Sequence, residues 1–389
     1  MDIIHKGIAA LIASAVVQQP RVLPEGFDLE QAYPDIKRHH IAPLAFEGAC
    51  ICGIPQTTPV MQKLFQSFCK AMQVSEGQQR ALERMFRAFD ENGIDYMPLK
   101  GCNMKRRYPK PELRMMGDAD ILIRLEQYEK IAPIMASLGF SPKEETDHEL
   151  VWETPAVYVE LHKRLMPSYN KDFHAYFGDG WPLAQHREGH RFAMTPEDEF
   201  VFIFTHFAKH YRDGGIGCRH VTDLWVFLRS FPQLDEVQVR RKLEKLQLLE
   251  FYTNLRELLA VWFEAAPETE MTDFITDYVF GSGSFGSGES RTLSRAVRDT
   301  KHTLPGISGR MVYLWQTAFP PVQTLRGKYR ILKKAPWLLP VVWLIRPFYK
   351  LLFERRSLRR QERNLDALSP ENLRSRQDAL GYVGLDYFF

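Results

Sequence analysis

The stretch MPLKGCNMKRRYPKPELRMMGDADILI, residues 97–123, decides the fold of this chain. It sets a Lys-Gly turn and a basic segment ahead of an Asp-x-Asp pair, Asp118 and Asp120. The pair begins an apolar run with β-branched residues, which predicts a β-strand. Side chains two positions apart on a strand point to the same face, so the two carboxylates are expected to converge. Such a pair suits a divalent cation with oxygen ligands; the alternative is that one aspartate caps a turn and the other is solvated.

The residues before the pair predict a strand, a tight turn and a short helix. Residues 94–99 have the apolar content of a short strand that ends at Lys100 and Gly101. A glycine directly after a strand lets the backbone approach a ligand closely. Residues 102–108 predict a short helix whose free N–H groups would face a phosphate. The basic run within it, Lys105, Arg106 and Arg107, is interpreted as a solvated face.

A third acidic residue follows in the alternating segment VYVELH, residues 157–162. Period-two alternation predicts a strand with Val157, Val159 and Leu161 on one face and the polar residues on the other. An acidic side chain buried alone in such a strand is costly. Glu160 is therefore expected either to share a metal or a wet cleft, or to lie exposed on an edge strand.

Three short segments carry a more specific signal: Leu-Lys-Gly at residues 99–101, Arg114 ahead of the Asp-x-Asp pair, and Glu-Leu-His at residues 160–162. Together they resemble the uncharacterised polymerase-β-like nucleotidyltransferases often called family 5. The helical segment at residues 205–228 and the apolar segment at residues 335–348 also resemble members of that family. The resemblance extends from about residue 35 to about residue 350, and the first motif is its most specific part.

The resemblance implies an α+β, mainly helical fold with a small mixed β-sheet at the nucleotidyltransferase core. We expect a helical region at residues 1–75, the α/β core at 76–165, a helical domain at 166–300 and a basic, aromatic-rich helical region at 301–389. A helix stripe of Leu82, Met85, Phe86 and Phe89 and the Gly-Ser-rich segment at residues 281–288, predicted to be a loop, support this division.

In the wider superfamily, two acids of a DxD and a third on a nearby strand bind two Mg²⁺ ions. The resemblance therefore implies that Asp118, Asp120 and Glu160 are both the catalytic residues and the metal ligands. Two metal ions would stabilise the attacking and the leaving oxygens when a nucleotidyl group is transferred. The expected substrates are an NTP, with ATP as the default, and a hydroxyl acceptor that the sequence does not identify.

A Gly-Ser pair at a helix start holds the nucleotide phosphate in that superfamily, but here the pair is Gly101 and Cys102. Lys100 and backbone N–H groups would have to replace the serine hydroxyl, and Arg114 is expected to contact the triphosphate as well. The absent hydroxyl keeps a second interpretation open. In it the chain is a catalytically silent nucleotide- or metabolite-binding module on the same fold.

Four further residues are candidates to line the substrate cleft: His162, His206, His210 and Asp223. His206 and His210 lie four positions apart and share a helix face, but no third zinc ligand is evident in the sequence. The alternative for Asp223 is a buried acid paired with Arg219 or His220. For His162, the alternative is a hydrogen-bonded core histidine.

The composition is that of a globular protein in a reducing compartment. The chain has 389 residues, 45% hydrophobic and 25% charged, with five scattered cysteines. The sequence contains no run of about 20 apolar residues, so it predicts no membrane-spanning helix. The apolar segment at residues 8–17 fits the apolar stripe of a helix better than a signal peptide. These features favour the cytoplasm.

The charge is nevertheless segregated along the chain. Residues 321–363 contain 12 Lys and Arg residues against two acidic residues, a local net charge of +10 in a chain of net +3. Aromatic residues interleave with these bases, which suits an anionic membrane surface. The alternative is a helical tail packed on the body of the protein. Nucleic acid is not an expected partner, because no recognised binding module accompanies the patch.

Overall fold

The computed structural model describes residues 1–283, 288–300, 311, 315, 318–320, 322–325, 329, 331–353 and 368–386. These residues divide into two compact units. The first contains Met1–Ala208 and residues 216–283; the second contains Lys209–Gly215 and the described residues from 288 onward. Within the described ranges, no helix has both the length and the apolarity needed to cross a bilayer.

The first unit begins with four helices: α1 (Ile3–Val17), α2 (Leu29–Arg38), α3 (Ala42–Ile51) and α4 (Pro59–Glu91). Asp2, Asp28 and Thr58 start α1, α2 and α4, each accepting a hydrogen bond from a first-turn N–H group. Helix α4 includes the apolar stripe predicted from the sequence, and it begins well before that stripe, at Pro59. The boundary expected near residue 75 lies inside this helix.

A five-stranded mixed sheet follows α4, in the order β1-β2-β5-β4-β3. Its strands are β1 (Tyr96–Pro98), β2 (Asp118–Ile123), β3 (Ser141–Glu145), β4 (Glu149–Glu153) and β5 (Tyr158–His162). Strands β2 and β5 are parallel, and the other pairs are antiparallel. The short helix α5 (Gly101–Met104) follows β1, and α6 (Tyr128–Ser137) follows β2. The structure thus confirms the predicted α+β, mainly helical class with a small mixed sheet.

The two faces of this sheet differ sharply in polarity. Apolar residues of β2, β4 and β5 pack against α4 and α6, and they include Ala119, Ile121, Leu150, Trp152, Val159 and Leu161. Alternation then forces the polar residues of the same strands onto the opposite face. Helices cover one face of the sheet, and the carboxylates occupy the other.

The first unit also contains further helices and a short hairpin. They are α7 (Lys171–Phe177), the hairpin of β6 (Gln185–His186) and β7 (Phe192–Ala193), α9 (Cys218–Ser230), α10 (Glu236–Lys245), α11 (Leu249–Glu264) and α12 (Glu270–Ser282). Helix α8 (Pro196–Arg212) precedes α9. The aromatic core of this region contains Phe200, Phe204, Phe227, Phe251 and Tyr252, all almost fully buried.

The second unit contains α13 (Gly288–Thr300), α14 (Val322–Leu325), α15 (Ile331–Lys334), α16 (Leu339–Phe353) and α17 (Pro370–Tyr382). Arg376 of α17 is buried and donates to Ser294 of α13 and to the carbonyl of Tyr211. The glycine-rich segment at 281–288 is partly helical, since α12 ends within it and α13 begins at Gly288; residues 284–287 lie outside the described part. Most of the basic side chains at 321–363 lie outside it too.

Candidate active site

Parallel pairing of β2 with β5 brings the predicted carboxylates together. The register sets Asp118 opposite Tyr158 and Asp120 opposite Glu160, so all of these side chains share the polar face of the sheet. Asp118 is exposed at the start of β2, Asp120 is buried and Glu160 is half-buried. Glu160 therefore lies on an interior strand, between β2 and β4, and not on an edge.

Two nitrogen-containing side chains contact one oxygen of Asp120. Lys100 Nζ lies 2.7 Å from its Oδ1, and His162 Nε2 lies 2.8 Å from the same atom. Burial acts to raise the pKa of Asp120, but Lys100 and His162 outweigh it and hold the pKa well below its usual 3.8. Asp120 is consequently ionised, and its Oδ2 accepts no hydrogen bond from any residue that the structure describes.

Glu160 has the opposite electrostatic setting. Burial raises its pKa, and the charges of Asp120 and Asp118 raise it further. His162 Nε2, 3.6 Å from Oε2 of Glu160, opposes this shift. Oxygens of Asp120 and Glu160 and a ring nitrogen of His162 lie within 4.8 Å of one another, a grouping that could hold a metal ion. Burial lowers the pKa of His162, but its bonds to Asp120 and Glu160 outweigh this and raise the pKa above 6.5.

These donors fit a hard divalent cation. Asp120 and Glu160 of that grouping offer carboxylate oxygens, the ligand type that Mg²⁺ prefers. Asp118 lies on the same face of the sheet but belongs to neither grouping of possible metal ligands among the described residues. Among the described residues, nothing donates a hydrogen bond to either oxygen of Asp118, so these oxygens are available. Burial is the largest cause of the raised pKa of Glu160, and the negative charges of Asp120 and Asp118 add to it; a divalent cation would offset those charges.

The turn after β1 places Lys100 at this cluster. Lys100 has φ +41°, in the region that L residues rarely adopt, and its carbonyl accepts hydrogen bonds from the N–H groups of Asn103 and Met104. The Cys102 N–H donates to the carbonyl of Leu99. The prediction that the N–H groups of this helix are free for a phosphate is therefore wrong for residues 102–104, because the turn itself uses them.

Cys102 cannot replace the serine hydroxyl as a strong donor. Burial, together with the charge of Asp120, raises the pKa of its thiol to about 12, so the group stays protonated and is a weak hydrogen-bond donor. The predicted phosphate contacts that remain at this turn are those of Lys100, of Arg114, whose Nη1 lies beside Gly101, and of the Gly101 N–H, which donates to no acceptor among the described residues.

Arg114 is fixed by a buried acid on α9. Its Nε and Nη2 donate to Oδ1 and Oδ2 of Asp223 at 3.1 and 2.9 Å, and Tyr108 donates to the same Oδ1 at 2.7 Å. Asp223 is buried, and its ion pair is with Arg114, not with Arg219 or His220 as the alternative interpretation had it. This pairing holds the guanidinium plane in place and leaves Nη1 without a hydrogen-bond partner among the described residues.

The two histidines of α8 lie outside the groupings of possible metal ligands in the part of the chain that the structure describes. His206 and His210 are half-buried, and the ring of His206 lies 6.4 Å from that of Phe202. Within the described residues, the two groupings that could hold a metal ion contain neither histidine. His162, by contrast, lies at the centre of the cluster.

Sequence reasoning missed the hairpin of β3 and β4, and with it two residues of the site. The second grouping that could hold a metal ion consists of His148, Glu149 and His162, since Glu149 lies opposite His162 in the register. The signal was present in HELVWE, residues 148–153, where Leu150 and Trp152 alternate with polar residues.

A family model described as an uncharacterised nucleotidyltransferase matches residues 25–264. This match covers the whole sheet, the Lys100 turn, both aspartates of β2 and Asp223. Neither the curated proteins nor the solved structures gave a match. On the family model, which covers more than half of its length, the chain belongs to the uncharacterised nucleotidyltransferase family.

Proposed function

We propose that the protein is a Mg²⁺-dependent nucleotidyltransferase that moves a nucleotidyl group from an NTP to a hydroxyl of an acceptor. The observation that carries the proposal is the convergence of three carboxylates on one face of the sheet, beside Lys100 and the fixed guanidinium of Arg114. Membership of a nucleotidyltransferase family supports the reaction class.

The residues have separate roles in this proposal. Asp118, Asp120 and Glu160 hold two Mg²⁺ ions, which when bound neutralise phosphate charge and activate the acceptor hydroxyl. Lys100 has N–H groups beyond the one that Asp120 accepts, and Arg114 presents Nη1; both are directed to the triphosphate. ATP is the default donor, and the acceptor is left open.

Calorimetric titration of the four NTPs, with and without Mg²⁺, tests the proposal. We expect wild type to bind one NTP only with Mg²⁺, and the Asp118→Asn variant to lose this Mg²⁺-dependent binding. The matched control is Glu91→Gln, which changes an exposed acid at the end of α4. Metal-independent binding, or wild-type binding by Asp118→Asn, would contradict the metal assignment.

A catalytically silent nucleotide-binding module on the same fold is the second candidate. The engaged N–H groups of residues 102–104 and the protonated thiol of Cys102 favour it, since both weaken the phosphate grip. Pyrophosphate release in the presence of varied hydroxyl acceptors separates the two. Mg²⁺-dependent NTP binding without any release would select the silent module.

For the C-terminal region we propose contact with an anionic membrane surface through residues 321–363. Beside its net charge of +10, this region exposes Trp337, Leu344 and Ile345, which are 76%, 72% and 54% accessible. Aromatic and aliphatic side chains next to bases suit the interface of an anionic bilayer.

Cosedimentation with phosphatidylserine-containing vesicles tests this contact. We expect the double variant Trp337→Ser/Leu344→Ser to bind less than wild type, and vesicles of phosphatidylcholine alone to bind neither. Val237→Ser is the control, because Val237 is 78% exposed but lies on α10. Equal binding of the double variant and the control would remove the proposal.

A further inference from the structure

A cavity of about 310 Å³ lies on the side of the sheet opposite the carboxylates. Pro98, which lines it, pairs with Ile121 of the apolar face. The remaining apolar lining comes from Leu82 and Phe86 of α4, from Pro111 and from Met116. This volume is at the lower end of the range for small-molecule pockets, so a small ligand would fill it.

The charged part of the cavity lining is predominantly cationic. Lys105, Arg106 and Arg191 contribute three positive charges, and Glu83 contributes one negative charge. None of the three bases forms an ion pair with a carboxylate of any described residue. A cavity with this surplus of positive charge attracts an anion.

Lys105 is the most unusual of these residues, because it is only 9% exposed. Its Nζ donates to Oε1 of Gln78 at 3.1 Å, and the Nε2 of that glutamine donates to the carbonyl of Met116 at 2.8 Å. Gln78 is thereby fixed in orientation, and it offers the ammonium group a neutral acceptor where a buried lysine normally has a carboxylate.

The pKa of Lys105 reflects the cost of burying its ammonium group beside a neutral acceptor. Burial, followed by the positive charge of Arg114, lowers the pKa of Lys105 to about 8, and only Cys102 and Glu112 act in the other direction. A negatively charged group in the cavity would compensate the desolvated ammonium. The apolar wall of Leu82, Phe86 and Pro98 would meanwhile bury the uncharged part of the same molecule.

From this cavity and its unpaired cations we infer a second ligand site, for a small organic anion with an apolar body, such as a monophosphate ester. Lys105 binds the anionic group, Arg106 and Arg191 add charge at the rim, and the apolar wall holds the body. The cavity shares Cys102 with the turn of the proposed nucleotide site, but its cations, Lys105, Arg106 and Arg191, are not residues of that site, and its wall at Pro98 belongs to the apolar face of the sheet.

Titration calorimetry with phenyl phosphate tests this site on the full chain. We expect binding by wild type, at least about tenfold weaker binding by Lys105→Met, and unchanged binding by Lys130→Met, an exposed lysine of α6. Methionine fills the space of a buried lysine, so Lys105→Met is expected to fold. Arg106→Gln, at an exposed position, is the second variant, with an expected loss of a few-fold.

Two further titrations complete the test. Benzyl alcohol, which lacks the anion, should not bind measurably, and saturating MgATP should not displace phenyl phosphate. No binding of phenyl phosphate at millimolar concentration, wild-type affinity in both variants, or displacement by MgATP would each overturn the inference. None of these outcomes depends on nucleotidyl transfer.

Discussion

The ammonium group of Lys100 lies 2.7 Å from Oδ1 of Asp120, where the turn after β1 meets the paired strands β2 and β5. Burial acts to lower the pKa of Lys100, but Asp120 outweighs it and raises the pKa, so both groups are charged. The positive φ of Lys100 directs its side chain to this point. One residue of the Asp-x-Asp pair is thus engaged by the protein itself, while Asp118 is not.

This asymmetry predicts different consequences for the two aspartates. Both Asp118→Asn and Asp120→Asn should abolish nucleotidyl transfer, since each removes a carboxylate that we propose as a metal ligand. Asp120→Asn should also lower the free energy of unfolding by about 3 kcal/mol, because Lys100 and His162 lose a buried charged partner. Urea denaturation of both variants checks this. Transfer by either variant, or equal stabilities of the two, would contradict it.

Two glycines flanking the site form a matched pair for a second prediction. A Cβ at Gly101 would lie 2.7 Å from Nη1 of Arg114 and 3.1 Å from Sδ of Met116, whereas a Cβ at Gly117 would meet nothing within 4 Å. Arg114 cannot move freely, because Nε and Nη2 of its guanidinium donate hydrogen bonds to Asp223. Gly101→Ala should therefore cost about 1–3 kcal/mol of stability and weaken NTP binding, as measured by denaturation and calorimetry. Gly117→Ala should leave NTP binding unchanged.

The strands that carry the carboxylates were predictable from sequence because their periodicity is local. Alternation in VYVELH assigns Glu160 to the polar face without knowledge of any partner, and the structure places it there. The spacing of Asp118 and Asp120 works in the same way. Side-chain direction along a strand depends only on the pleat of the backbone.

The partners of charged residues were not predictable in this way. Asp223 pairs with Arg114, which is 109 positions away, while the alternatives considered were its close neighbours in sequence. The basic run at residues 105–107 was interpreted as a solvated face, yet Lys105 is buried and Arg107 pairs with Glu199. Only Arg106 is exposed. Long-range pairing depends on how elements pack, and a single sequence carries no direct signal of it.

The Arg114–Asp223 pair gives a third prediction. Asp223→Ala would leave the guanidinium of Arg114 and the hydroxyl of Tyr108 buried without their shared acceptor. We expect the free energy of unfolding to fall by about 3–5 kcal/mol in urea denaturation. Glu91→Ala, at an exposed acid, should change it by less than about 0.5 kcal/mol. A small effect of Asp223→Ala would mean that Arg114 finds another partner.

The raised pKa of Glu160 predicts a pH dependence of metal binding. A carboxylate must be deprotonated to bind a metal, so Mg²⁺-dependent NTP binding should weaken as the pH falls through the pKa of Glu160. Burial and the charges of Asp120 and Asp118 set that pKa above the ordinary value of 4.5. Titrations at several pH values between about 5 and 8 measure the midpoint. Mg²⁺-dependent binding that does not weaken towards the lower end of this range would contradict the assignment of Glu160 as a metal ligand.

A last prediction concerns stability and uses a histidine away from the site. His39 is 1% exposed; one of its ring nitrogens lies 3.1 Å from the carbonyl of Phe280, and the other accepts from the N–H of Cys218. Burial, with the charge of Arg38, lowers the pKa of His39 to about 4. The folded protein therefore keeps this ring neutral at a pH at which the unfolded chain, with a histidine pKa near 6.5, is protonated.

The sign of the effect follows from proton linkage. Between pH 6.5 and about 4 the unfolded state binds the extra proton, so stability falls as the pH is lowered through this window, by up to about 3 kcal/mol at its lower end. Above pH 6.5 His39 contributes no slope. His39→Gln should be less stable at pH 7, where a buried hydrogen bond is lost, but should show a flatter profile between pH 6.5 and 4 in urea denaturation. His186→Gln, at an exposed position, should keep the wild-type slope, because removing a solvated imidazole leaves the buried ring of His39 in place.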